Sequence, residues 1–410
     1  MAVIVQSAAL GLGAAALLLI SYAIGSAIYN IYFHPLHNFP GPKLAAASKI
    51  PYALNRCRGL QSKWTKAMHD KYGEVVRLAP DQLSFTSVEA WRDIYGHKVA
   101  GKGGMPKGKH YATNDEDHAR HRRLLAHAFS DKALREQEPL INKYVSLLVA
   151  KLSDATQSAL AVDMVRMYNY CTFDIMGDLA FGEPLGLLEQ SDYTPWVAAI
   201  FGTIKTGVLI ATITNNFPTL GAAIRRFCIP AALVEKRATH RRFAEARVDA
   251  RLANAAHNER PDIWTFVLRH AASEKDDAGK GLRLEEMHAD GSTLMVAGTE
   301  TTATLLSGLT YHLLQNPPKL HALATEIRAA FARPEDMDMA SLARLPYLHA
   351  CLEEGLRILA YHEMRLILAN VLWHFDLDLC AESKDWMDQE VYTIWEKGPL
   401  MCKLKPVVRG

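Results

Sequence analysis

A hexapeptide in the last third of the chain, Ala297-Gly298-Thr299-Glu300-Thr301-Thr302, sets an acid and three hydroxyls inside a long apolar run of helical period. Glycine and threonine are poor choices for a helix interior, so their presence there has a reason. A glycine lets a ligand approach the backbone, and Glu300 beside the Thr301 hydroxyl could deliver protons to something bound in the groove. Read alone, the same residues also fit a helix with an exposed polar stripe. Further on, Glu354 and Arg357 stand at i and i+3 on one helix face, a pairing worth only a few tenths of a kcal/mol when exposed. Upstream, His118 and Arg122 lie one helical turn apart in Asp117-His118-Ala119-Arg120-His121-Arg122-Arg123. An arginine there can grip a carboxylate with two hydrogen bonds, and a solvated basic helix face is the equally good alternative.

Two other patterns carry no chemistry. Gly103 to Lys109 fits GxxxxGK, the start of a phosphate-binding loop. However, His110 replaces the Ser or Thr, no parallel strand precedes it, and Pro106 removes an amide donor. His362-Glu363-Met364-Arg365-Leu366 lacks the second histidine of a zinc helix, and no metal ligand set is expected elsewhere.

The elements that must position these groups are mainly helical. Apolar residues recur at 3.6-residue period from about Ser62 onward, as in LINKYVSLLVAKLSDA and HADGSTLMVAGTETTATLLSGLTYHLL. The spacing predicts strands only over Glu74 to Leu78, Gln82 to Thr86, Glu390 to Ile394 and Met401 to Val407. Loops are expected at Asn258 to Asp262 and Glu274 to Gly281. No repeat is present, so a single helical domain is expected over 43–410. Ahead of it, Ala8 to Tyr32 carries no charged side chain and is long enough to cross about 30 Å of hydrocarbon, which predicts an N-terminal transmembrane anchor over 1–33. A proline hinge follows at 34–42 (Pro35, Pro40, Pro42). Lys43, Lys49, Arg56 and Arg58 come after the span and no Lys or Arg before it, so the positive-inside rule puts the remainder in the cytosol.

Composition narrows the function further. With 49% hydrophobic residues the chain can bury a large core, and with 46 basic against 44 acidic side chains it has no field to hold nucleic acid. Six scattered cysteines without a CxxC pair, and no Asn-x-Ser/Thr sequon, favour a reducing compartment.

The motifs, taken together and in order, resemble the cytochromes P450, especially their fungal secondary-metabolism branch. AGTETT is similar in every position to that family's central-helix oxygen-activation motif, and LPYLHACLEEGLR to its ExxR helix. Tyr32 to Pro42 resembles the proline hinge after its anchor, and Phe173 to Gly182 its middle helix. His118 stands where the family's WxxxR has Trp, with Arg122 intact. The resemblance implies a mainly α fold and a haem cofactor touched by Ala297 and Gly298, with His118 and Arg122 at its propionates. It also implies Thr301 and Glu300 in proton delivery, and Glu354 with Arg357 as a buried pair organising the core below the haem. An NADPH-cytochrome P450 reductase, an apolar small-molecule substrate and the endoplasmic reticulum membrane are implied as partners and location.

One block of that family is missing. Its ExxR helix is followed by strands, an aromatic-Pro-Glu-Arg turn and an FxxGxxxCxG loop carrying the haem-ligating cysteine. Here Glu354-Gly355-Leu356-Arg357-Ile358 runs directly into Leu359 to Trp373, which resembles the helix after that loop. An internal deletion at 358/359 is expected, leaving a chain that could be a truncated, inert isoform or a mis-spliced gene product. Tyr347 to Trp373 contains no proline and only Gly355 as a weak breaker, so local rules allow one continuous helix of roughly 40 Å.

Overall fold

The apolar helical period of the sequence becomes helices wherever the structure, a computed structural model, describes the chain. The described residues are 2–95, 115–158, 160–227, 231–254, 260–273, 282–355 and 361–408. The GxxxxGK stretch, Arg357, the 358/359 junction and most of the two expected loops fall outside them, as do some side chains within helices, His118 among them. The chain divides into two compact units, one of residues 1–107, 204–229 and 390–393 and one of 108–203, 230–389 and 394–410.

In the second unit the core is built around the central helix, Leu284–Leu314. It lies against the Met164–Phe181 helix, a helix without a polar face: all but two of its 18 residues are buried. That helix is set at its start by Asp163, whose carboxylate accepts from the Val165 and Arg166 amides at 3.0 and 3.4 Å. It ends at Gly182, whose φ of 75° suits a residue without a Cβ. Buried polar groups tie the layers: Tyr168 and Thr310 share a hydrogen bond of 2.9 Å, and Trp264 Nε1 donates to the Ala180 carbonyl at 2.7 Å. Each matters because an unpaired buried polar group costs about 1–3 kcal/mol.

The last helix, Tyr361–His374, is apolar around most of its girth and buries Met364, Leu366 through Ala369, Val371 and Leu372. It passes straight into the strand Phe375–Leu379, which pairs antiparallel with Met401–Pro406. Val162–Asp163 forms the opposite edge of this three-stranded sheet. The inner strand, Met401–Pro406, falls within an expected strand, whereas no strand is expected from the sequence over the edge strand, FDLDL at 375–379. Its two-residue alternation of buried and exposed side chains is the signal that decides for strand.

The continuous helix allowed over 347–373 does not form. Pro346–Gly355 and Tyr361–His374 are separate helices, and an Arg365 Nη2 sits 3.1 Å from Nδ1 of His349. Sixteen residues of unbroken helix would hold those two apart by about 24 Å. Packing of two apolar faces against the rest of the core outweighs the weak local preference for one rod.

In the first unit, the helix Ala2–Tyr32 ends on a set of backbone contacts organised by Arg77 of the strand Val75–Ala79. Its guanidinium, 1% exposed as a residue, donates to the Asn30 carbonyl at 2.9 Å and to the Pro80 carbonyl at 2.6 and 3.1 Å. The Arg77 amide donates to the Pro40 carbonyl at 2.7 Å, so the proline segment is pinned to the sheet. That strand pairs with Gln82–Phe85, close to the expected limits of both. The transmembrane expectation over Ala8 to Tyr32 is not carried over by the structure. Among the described residues no helix is long and apolar enough to cross a membrane, and several side chains in the first half of that span lie outside them.

Candidate active site

The hexapeptide lies within the central helix, and its side chains point into three different environments. Ala297 and Thr301, four residues apart on one face, are exposed, and the Thr301 hydroxyl donates to the Ala297 carbonyl at 2.6 Å. Thr299 and Thr302 are buried and likewise return their hydroxyls to the helix, to Met295 and Gly298 carbonyls at 2.7 and 3.0 Å. Gly298 makes room for a neighbouring helix rather than for a ligand: a Cβ there would stand 2.7 Å from Met176 Sδ and 2.8 Å from its Cε.

Glu300 is 3% exposed and turned away from Thr301. Successive helical residues are rotated by about 100°, so an acid and a hydroxyl adjacent in sequence do not meet. The partner of Glu300 is Lys397, from the segment just after the strand Ile394–Glu396. The ammonium lies on Glu300 Oε1 and also donates to Thr304 Oγ1 at 2.7 Å, while Thr304 Oγ1 donates to Glu300 Oε1 at 3.2 Å. Burial draws the Lys397 ammonium below its ordinary value, against the pull of the Glu300 charge. Glu300 Oε2 is buried without a hydrogen-bond partner. Sequence reasoning missed Lys397, because nothing in Trp395-Glu396-Lys397-Gly398-Pro399 marks that lysine as buried.

The basic cluster upstream lies in the helix Asp115–Ala126. Arg122 is exposed, and the inward groups are instead Arg120 and His121. Arg120 grips Glu286 of the central helix with two bonds of 2.7 and 3.1 Å, and His121 lies 3.2 Å from Glu286 and 3.3 Å from Asp290. Burial would raise the Glu286 carboxyl, but hydrogen bonds from Arg120, Arg283 and His121 overcome it and hold it well below the carboxylate range. Asp290 is pushed up by burial, with His121 opposing.

Glu354 is exposed at the edge of a groove of about 860 Å³ between the second half of the central helix and the Pro346–Gly355 helix. The latter is capped at its start by Glu326, whose two carboxylate oxygens accept from the Tyr347 and Leu348 amides at 2.9 and 2.8 Å. Glu363, in the first turn of the last helix, is half-buried and pushed up to about 8 by burial.

The model of the cytochrome P450 family matches residues 59–359. The chain belongs to the cytochrome P450 family. A cytochrome P450 monooxygenase of Hormonema carpetanum is 38% identical over 486 residues, with 95% of each chain covered. Those of Gibberella moniliformis and Metacordyceps chlamydosporia are 37% and 36% identical, covering 92% and 94% of this chain and 99% and 97% of their own. All three are fungal, as the resemblance implied. The alignment to the first runs over 486 residues against the 410 of this chain, so at least 76 of its positions have no residue here.

The family implies haem, which a cytochrome P450 holds through a cysteine thiolate. The cysteines do not fit that role. Cys171 is buried in the Met164–Phe181 helix, and Cys380 and Cys402 are buried at the end strands. Cys57 and Cys351 are half-buried. Burial pushes each of these thiols up, Cys402 to about 12 and Cys171 well above its ordinary value, which disfavours a thiolate. Cys228 lies outside the described residues. Ala297 and Thr301 form an exposed strip on the central helix, and none of the described thiols is in a setting that favours a thiolate.

Proposed function

We propose that this chain derives from a haem-dependent monooxygenase of fungal secondary metabolism that hydroxylates an apolar small molecule with molecular oxygen and a reductase. We propose further that, lacking the cysteine block, the chain itself is catalytically inert. The observation that carries this reading is a coincidence of positions. The family match stops at residue 359, beside the 358/359 junction where the sequence passes from an ExxR helix into a helix that follows the cysteine loop. The alignment to the first relative needs at least 76 positions that this chain does not supply. In a complete enzyme Thr301 and Glu300 are the residues proposed for proton delivery, with Ala297, His118 and Arg122 beside the haem and Glu354 with Arg357 below it, while Gly298, which faces Met176, is not kept in that role.

The experiment is a ferrous carbon-monoxide difference spectrum of the purified chain after haem reconstitution. The expected result is no red-shifted Soret band, and the band appearing once a relative's block is inserted between Ile358 and Leu359. A red-shifted band at near one haem per unmodified chain would overturn the reading of an inert product. Sequencing the transcript across the junction tests the same point at its origin.

The location proposed is the endoplasmic reticulum membrane, with one N-terminal span and the globular part in the cytosol. What supports it is the run without charge from Ala8 to Tyr32 and the exposure of Leu17, Leu18, Leu19, Ile20 and Ile24 along a helix whose last turn is bonded to Arg77. Apolar exposure of that extent calls for a lipid or protein cover. Retention in the membrane fraction through carbonate washing is expected, and release by carbonate or salt would sink it.

A further inference from the structure

Near the start of the central helix three side chains, all in the second unit, share a geometry that the proposed function does not use. Glu286 and Asp290 stand one helical turn apart on the Leu284–Leu314 helix, and the imidazole of His121 is set between them. Its Nε2 is 3.2 Å from Glu286 Oε1 and its Nδ1 is 3.3 Å from Asp290 Oδ2. The side chains of His121, Glu286 and Asp290 are only 14%, 11% and 13% exposed, so water does little to relieve a mismatch between them. A neutral imidazole has one N–H, and its other nitrogen carries a lone pair. Both ring nitrogens face carboxylate oxygens, so one contact sets lone pair against lone pair unless the cluster holds an added proton.

The neighbouring charges limit where that proton resides. Glu286 accepts two bonds from Arg120 and two more from Arg283, which hold its carboxyl below the ordinary range, so it stays ionised. Asp290 Oδ2 is buried with no donor aimed at it, and burial pushes its carboxyl up. The charges acting on Asp290 are those of His121, Glu286 and Arg120. The Ile263–Ser273 helix, packed on Asp115–Ala126, has no charged group among its described side chains, and the turn His127–Phe129 carries His127. Charged groups on the helices against the central one are engaged elsewhere: Asp249 with His288, Arg247 with Glu183, Arg251 with Asp262, Arg166 with Asp192, and Asp178 with Arg260. Asp174 accepts from the Leu187 and Leu188 amides. The added proton therefore belongs to His121 and Asp290.

We propose that His121, Glu286 and Asp290 form a proton-operated clasp between the Asp115–Ala126 helix and the central helix, closed while His121 and Asp290 share one proton and opened by its loss at alkaline pH. An ordinary aspartate ionises near 3.8, and the folded chain keeps the Asp290 proton to higher pH. The clasp's contribution is therefore complete below about pH 3.8 and is lost as pH rises through the folded value. The Arg120–Glu286 pair weakens in the opposite direction, so acid and base loosen the same helix through different contacts. The clasp is made of residues that this chain has, and it works with or without haem.

Amide hydrogen exchange of the native full chain, read by mass spectrometry from pH 6 to 9 and corrected for the pH dependence of the exchange chemistry itself, follows the clasp. In the parent, protection of residues 115–126 is expected to fall with rising pH, by up to about tenfold per pH unit, the most that one linked proton allows. Asp290→Asn, whose carboxamide can donate to the imidazole at any pH, should lack that fall. Glu363 is intact in this variant, so its own pH dependence cancels in the comparison. A parent without the fall, or a variant that shows it equally, overturns the clasp. Should Asp290→Asn lose protection along the whole chain, His121→Gln is measured in its place. It keeps a donor toward one carboxylate and has no proton to lose in this range; absence of the fall then supports the clasp, and a fall like the parent's overturns it.

Discussion

Lys397 and Glu300 form an ion pair in which each side chain is 4% exposed, joined by the Thr304 hydroxyl. The acid that the sequence offers for proton relay is thus neutralised by a residue almost a hundred positions away, on the segment between two C-terminal strands. Two charges taken out of water this completely hold the segment in one register. Removing one partner of such a pair leaves the other buried and uncompensated, at a cost of about 3–5 kcal/mol. Lys397→Met and Glu300→Gln are each expected to lose stability on that scale in denaturant unfolding. The double variant Glu300→Gln, Lys397→Met should lose much less than the sum. Independent, additive effects would show that the pair does not hold the segment.

The half-buried Glu363 sets a pH dependence of opposite sense to the usual carboxylate. Its folded value of about 8 lies above the ordinary 4.5, so the folded chain keeps a proton that the unfolded chain has released. The stability tied to this group is therefore complete below about pH 4.5 and is lost as pH rises through about 8. Glu363→Gln should flatten that slope and stabilise the chain at pH 8, on the order of 1–2 kcal/mol after allowance for its partial exposure. Thermal melts from pH 5 to 9 check it; an unchanged slope in the variant would assign the dependence elsewhere.

Arg120 and Glu286 join the Asp115–Ala126 helix to the start of the central helix. The Glu286 carboxyl is held below its ordinary range, so this contribution is present above about pH 4.5 and fades as pH falls below it. Arg120→Ala is expected to cost about 1.5–3 kcal/mol at pH 7, the scale of a hydrogen bond to a charged group. The gap between parent and variant should narrow below pH 4. Arg122→Ala, changing an exposed side chain, should stay within about 0.5 kcal/mol. Equal losses from both would contradict the inward placement of Arg120.

Gly298 is a packing glycine against Met176. Gly298→Ala should be nearly neutral, since the end of the methionine side chain can move and alanine is about 1 kcal/mol the better helix former. Gly298→Leu cannot be accommodated that way and is expected to cost about 1–3 kcal/mol or more, with part of it recovered by Met176→Ala. Chemical denaturation of the four chains decides the matter, and a lack of recovery in the double variant would mean that other atoms crowd Gly298.

The order of motifs made the family legible in sequence, because each is a local pattern: AGTETT on an apolar helix, the proline segment after an uncharged run, Phe173 to Gly182 as a helix without a polar face. The mainly helical class and four of the strands followed from period alone. The proposal of an internal deletion at 358/359 rests likewise on a local pattern, the passage from the ExxR helix directly into Leu359 to Trp373.

What only the tertiary structure decided are relations between distant residues. Period cannot say that Glu300 meets Lys397 rather than Thr301, because a buried charge takes whichever opposite charge the packing brings to it. Nor can it say that Arg120, not Arg122, turns inward, since both sit on a helix basic on several sides and the choice depends on where Glu286 stands. The approach of Arg365 to His349 across two helices has the same origin: local propensity allows one rod, and burial of Met364, Ile367 and Val371 in the core is worth more than keeping it.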